Sequence, residues 1–572
     1  MQTIRSARRD AFGDMPKMAK ICLLCLLLAA CGGGGSGGGA AGTVGGGATS
    51  RPSSHYALGG SISGLSSAGL VLVDGGASVA VPANALVFSF GAVLLAGDAY
   101  SVSVQTQPAG ETCTVVGGAG TAGAADVTSP TVSCAAKPVG WTWVGGSNVI
   151  GAGGIYGTKG TASVGNVPGA RGGANSWTDA SGNLWLFGGA SLVAAGFAGS
   201  GGSTVYLNDL WRYSPATGLW TWVSGFSQPN VAGYYGTPGV AAAANVPGTR
   251  FGAASWTDSS GAMWLFGGVG YDSTSQVSYL NDLWKFDPGT STWTWVGGSN
   301  VKDASGTYGI KGVPAVGNMP GAREAATTWT DASGNLWLFG GEGFSAPGLA
   351  GNLNDLWKYS PTTGLWTWVS GSAGVYAVGV YGTQGVASPA NAPGSRIGGT
   401  AWIDKAGKLW LFGGDGNLND LWTFDPSTNM WTWLGGSNTV NATGVYGMQG
   451  VQAASNMPGP RLDGNSWTDG SGNLWLFGGT VTGSTGANTS LNDLWRYEPA
   501  AGTWTWVAGS NIAGANGIYG TLGMPGNGNA PGARAGATAW ADSSGAFWLF
   551  GGYGDDSINS QGPLNDFWRY QP

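Results

Sequence analysis

The nonapeptide SGNLWLFGG occupies residues 181–189, 333–341 and 471–479, and close variants of it stand at 260–268, 406–414 and 544–552. A chain with 110 glycines in 572 residues invites a low-complexity reading. Thirty tryptophans on a fixed period argue against it, because disordered segments are poor in aromatic residues. The Trp of each LWLFGG phrase is Trp185, Trp264, Trp337, Trp410, Trp475 and Trp548, giving steps of 79, 73, 73, 65 and 73 residues. Long internal periods take precedence over local propensity in such a chain.

Every unit runs in one order. N-x-P-G-x-R leads into a segment ending in W-T-D or its variant, then come LWLFGG, L-N-D-L-W and W-T-W. These are four short apolar runs separated by Gly- and Asp-rich turns, the pattern of strands joined by hairpins. Four antiparallel strands per unit, repeated radially, make the blade of a β-propeller. A lone blade leaves both faces wet. Neighbours bury them for each other, and each large ring hides on the order of 150–250 Å². Complete units hold five Trp, as in Trp177, Trp185, Trp211, Trp220 and Trp222. The last holds Trp540, Trp548 and Trp568 and ends at Pro572. The missing pair is Trp141 and Trp143, so this N-terminal strand is expected to complete the last blade and remove the open edges.

LWLFGG and LNDLWRY followed by WTW resemble kelch repeats over about residues 141–572. The resemblance implies an all-β, six-bladed kelch propeller. Kelch proteins mostly bind partners, and a few, galactose oxidase and N-acetylneuraminate epimerase among them, are enzymes. The oxidase chemistry needs His ligands and a Cys–Tyr crosslink at its centre, and residues 141–572 contain neither His nor Cys. No Ser–His–Asp or Cys–His set, metal-ligand cluster or phosphate loop is present, so neither a cofactor nor a metal is expected. The acidic balance of −6 and the lack of a basic stretch outside the N-terminus exclude nucleic acid as a partner.

The segments before the repeats read differently. Residues 1–30 carry Arg5, Arg8, Arg9, Lys17 and Lys20, then an apolar core ending in Leu28-Ala29-Ala30-Cys31. That is a signal segment, and its end resembles a bacterial lipobox, which implies lipidation of Cys31. Residues 31–54 are a Gly-rich tether. Residues 55–136 lack Trp and alternate in strand fashion, with Leu86, Phe88 and Phe90 on one face and Tyr100, Val102 and Val104 on another. They read as a small β-sandwich resembling an Ig-like module, with Cys113 and Cys134 as one disulfide of an oxidising compartment. His55, the single His, is expected at its solvated edge. The whole reads as a monomeric protein of the bacterial cell envelope, held at a membrane, most readily the outer one, through its lipid alone.

Within the repeats, some distances do not vary. The repeat Arg precedes the LW Trp by 14 residues in every unit. Only the stretch from the LW Trp to the LNDLW Trp changes, at 26, 20, 20, 12, 20 and 20 residues. It is read as the loop between the second and third strands, so length variation gathers on one face, where recognition commonly sits. Polar residues present in every unit are then structural. Arg171, Arg250, Arg323, Arg396, Arg461 and Arg534 are expected to pair with Asp209, Asp282, Asp355, Asp420, Asp493 and Asp566 as turn-holding staples. Residues that break the symmetry are the candidate ligand contacts: Glu324 and Asp463 on the inner strands, and Tyr271, Asp272, Glu342, Phe344, Asp415, Tyr553, Asp555 and Asp556 in the variable segments. Carboxylates beside aromatic rings suit a sugar. The expected function is a binding module for a glycan or a protein, with a sugar epimerase or mutarotase, or a purely structural envelope protein, as the alternatives.

Overall fold

A computed structural model describes residues 55–572 apart from 109, 137–138, 193–203, 347–348, 416, 483–487 and 527. Cys31, the signal segment and the whole of the tether lie outside the described residues. The chain divides into two compact units near Cys134–Ala135.

The first unit holds two four-stranded sheets. One orders Val87–Leu94, Tyr56–Ser63, Thr131–Ala136 and Glu111–Val116; the other orders Ala77–Val81, Leu70–Asp74, Ala99–Thr106 and Ala119–Thr121. Leu58, Leu72, Phe88, Val102, Val132 and the joined Cys113 and Cys134 belong to a single core. Phe90 packs against this core, but Leu86 does not. It precedes its strand and is 74% exposed, so the alternation begins one residue later than the sequence suggests.

The second unit is a series of repeated four-stranded antiparallel sheets, an all-β arrangement that fits a β-propeller. The first sheet orders Asn175–Thr178, Leu184–Leu192, Thr204–Ser214 and Leu219–Ser224, and the following repeats reproduce it. The last sheet takes Gly140–Gly145 as its fourth strand, pairing Trp568 with Trp143 and Tyr570 with Trp141.

Each Trp of the pattern has a physical task. The Trp of the first strand crosses to the next sheet: Trp177 Nε1 donates to Trp264 O, Trp256 to Trp337, Trp329 to Trp410, Trp402 to Trp475, Trp467 to Trp540, and Trp540 returns to Trp185. The LW Trp ties down the preceding hairpin. Trp185 Nε1 donates to Asp179, whose carboxylate also accepts the Ser181 and Asn183 amides. This makes the D-x-S-G turn a self-capped hairpin. Buried rings of adjacent sheets, such as Phe187 and Trp293 with centroids 5.2 Å apart, fill the space between.

The paired glycines of LWLFGG explain the variable segment. A Cβ at Gly267 would lie 2.7 Å from the Arg323 carbonyl oxygen of the next repeat, so only glycine admits that approach. After this bulge the second and third strands do not end. Met263–Tyr271 and Val277–Asp287 stay paired out to Tyr271 and Val277. The segment read from sequence as a loop is therefore mainly a hairpin extension, lengthened in register with only a short turn at its tip.

Candidate functional site

The repeated charges form closed networks. Arg171 donates from both terminal nitrogens to Asp209, at 2.6 and 2.8 Å, and also to the Gly169 and Gly188 carbonyls. Tyr156 and Trp211 each add a donor to the same carboxylate at 2.7 Å. The pattern recurs at Arg250–Asp282, Arg323–Asp355, Arg396–Asp420, Arg461–Asp493 and Arg534–Asp566, with side chains that are buried throughout. The arginines are held above their ordinary pKa: burial opposes the charge, but the carboxylate and its hydrogen bonds outweigh it. Nothing in these networks is left to offer a ligand.

Beside them lies a second cycle, made of backbone. Gly173, Gly252, Ala325, Gly398, Asp463 and Gly536 each take a positive φ. Each donates its amide to the equivalent carbonyl of the preceding repeat, and Gly173 donates to Gly536, at 2.8–3.1 Å. Ala325, at φ 49°, and Asp463, at φ 54°, occupy a left-handed position that the other four repeats give to glycine.

A cavity of about 550 Å³ opens against this cycle. Phe251, Glu324, Ile397, Asp463, Asn465 and Tyr553 supply its larger side chains. Glu324 leans over Gly252, where a Cβ would meet its Oε2 at 3.1 Å, and Asp463 crowds Gly398 in the same way. Both carboxylates are half-buried. Burial pushes Glu324 up to about 7, helped by the charges of Glu342 and Asp463, and burial alone lifts Asp463 to about 6. No cation pairs with either among the described residues.

The other sequence candidates separate into contributors and scaffold. Glu342 faces Glu324 across a short antiparallel pair, Arg323–Glu324 with Glu342–Ala346, and accepts from the Tyr279 hydroxyl, whose pKa is raised by burial first and this carboxylate second. Phe344 packs edge-on to Tyr279, with centroids 6.0 Å apart. Tyr271 packs edge-on to Tyr206, which stacks on Phe251 at 5.6 Å and 11°. Asp415 accepts from Asn352 Nδ2 at 2.9 Å and from the Ile397 amide, next to the cavity wall. Tyr553 lines the cavity and is 45% exposed.

Asp272 and Asp556 do not fit the ligand role. Both are buried and cap the tips of their hairpins: Asp272 accepts the Thr274, Gln276 and Lys302 amides, and Asp556 the Ile558, Ser560 and Ile150 amides. Asp555 is also buried, and burial raises its pKa. Tyr206, Phe251, Tyr279 and Asn352 were not legible as site residues, because each depends on contacts with a neighbouring repeat. Among the described residues no group of three or more His, Cys, Asp or Glu is placed to hold a metal ion.

No family model matches the chain, and no curated protein matches it in sequence. Among solved structures, one described as "Structure of YjhT" is similar over 70% of this chain and 95% of its own, at 15% identity and a TM-score of 0.42. A likeness at that level carries no argument about the site.

Proposed function

We propose that the second unit is a closed six-bladed propeller of the kelch type that binds a glycan at the cavity holding Glu324 and Asp463. Two cycles support the closure: the Trp-to-carbonyl bonds returning from Trp540 to Trp185, and the amide bonds returning from Gly173 to Gly536. The observation that carries the binding reading is the pairing of unspent carboxylates with aromatic rings at one cavity, since sugar hydroxyls donate to carboxylates while the apolar sugar face stacks on rings. Lipidation at Cys31 would tether this module to a cell-envelope membrane, with the tether and first unit as spacers. A glycan array probed with the full chain tests the reading. Specific hits that weaken in Glu324→Gln or Asp463→Asn support it. A well-folded protein that binds no glycan turns it towards a protein ligand.

One observation favours a second reading, a sugar epimerase or mutarotase. Glu324, lifted to about 7 beside Glu342, has the acidity that general acid–base catalysis uses near neutrality. Faster interconversion of anomers, or deuterium uptake at a sugar carbon in deuterated water, followed by NMR on any array hit, distinguishes turnover from binding.

A further inference from the structure

The glycan reading leaves open what kind of sugar the cavity takes. The charges around it narrow the choice. The six variable segments contain no Lys, Arg or His, and one of them sets Glu342 opposite Glu324 across a strand pair. Every repeat Arg is spent on a buried carboxylate. Lys302, beside the Asp272 hairpin, is paired with Asp303 at 2.9 Å. The charged residues lining the cavity are Glu324 and Asp463, both acidic.

Resting on the glycan reading, we propose that the ligand is an amino sugar with a free, protonated amine, whose ammonium group is held by Glu324 and Asp463. A neutral sugar would donate hydroxyls but bring no positive charge to two carboxylates whose ionised forms are disfavoured by burial. A uronic or other acidic sugar would add a like charge. An ammonium brings three donors and a positive charge at once, and the aromatic residues Phe251 and Tyr553 line the same cavity. The same surroundings exclude Arg-based recognition of an acidic glycan, because no guanidinium is free to fork onto it.

Calorimetric titration of the full chain at pH 7 tests this with matched probes: a β-1,4-linked glucosamine hexamer, its fully N-acetylated counterpart, an oligogalacturonate and a lysine-rich peptide. The expected result is about tenfold or tighter binding of the free-amine hexamer over the acetylated one, no binding of the uronate, and loss of most of that preference in Glu324→Gln and in Asp463→Asn. The wild-type comparison of the two hexamers does not depend on either variant folding. Equal or tighter binding of the acetylated hexamer overturns the amine inference while leaving the glycan reading in place. Binding of the lysine peptide with no saccharide overturns both.

Discussion

Asp355 and Asp463 are the same side chain in one propeller-like unit, and the protein treats them in opposite ways. Asp355 receives two bonds from Arg323, one from Tyr308 and one from Trp357. Asp463 has no cation and no such donor set, and burial raises its pKa to about 6. The first carboxylate has an equivalent in every repeat; the second stands where four repeats have glycine. The difference teaches how to sort polar residues in a repeat protein. A charge that every repeat carries comes with its partner in every repeat. A charge outside the repeat pattern has no inherited partner, so it must find a local donor, as Asp415 and Asp272 do, or be solvated, protonated or held by a ligand.

The comparison breaks most visibly at the staples. Asp355→Ala leaves the Arg323 guanidinium buried and unpaired, and a loss of about 3–5 kcal/mol is expected in chemical denaturation. A loss below 1 kcal/mol would mean that the staple is not structural.

Next in size is a pH effect at the cavity. Glu324 has a higher pKa folded than unfolded, so the native state binds its proton more tightly. Stability from this group is therefore full below about 4.5 and is lost as pH rises to about 7. After screening at a half-open site, the wild type should lose about 1–2 kcal/mol more than Glu324→Gln across that window. Parallel stability–pH curves for the two proteins would contradict this.

A smaller effect sharpens the comparison at the backbone. Ala325 holds a left-handed φ with no polar side chain to favour it. Ala325→Gly should raise stability by about 1 kcal/mol and bring its repeat into line with its neighbours. A melting temperature that does not rise would show that the position is unstrained.

Much of this division could be read from the chain itself. The period, the missing Trp pair and the constant Arg-to-Trp spacing announce repeated four-stranded sheets, because those residues make contacts at fixed separations. The variable segments were harder. Tyr271 looks like a loop residue until the Gly267–Gly268 bulge is seen to carry the strand onwards. Asp272 and Asp556 stand out as asymmetric charges, yet each caps its own hairpin tip, an arrangement that needs the turn geometry to recognise. The stacking of Tyr206 on Phe251 joins different repeats and follows no spacing within either. Sequence symmetry thus separates scaffold from candidates well, but it cannot tell a candidate that faces the cavity from one that closes a turn.

The most direct test is to restore the symmetry. Asp463→Gly gives its repeat the residue that four of its neighbours use at the left-handed position. Thermal melting and titration with the best-binding saccharide should be run on the same sample. The account predicts a melting temperature equal to or above that of the wild type, together with weakened binding. A protein that melts earlier while binding unchanged would show that Asp463 serves the scaffold and that the site lies elsewhere.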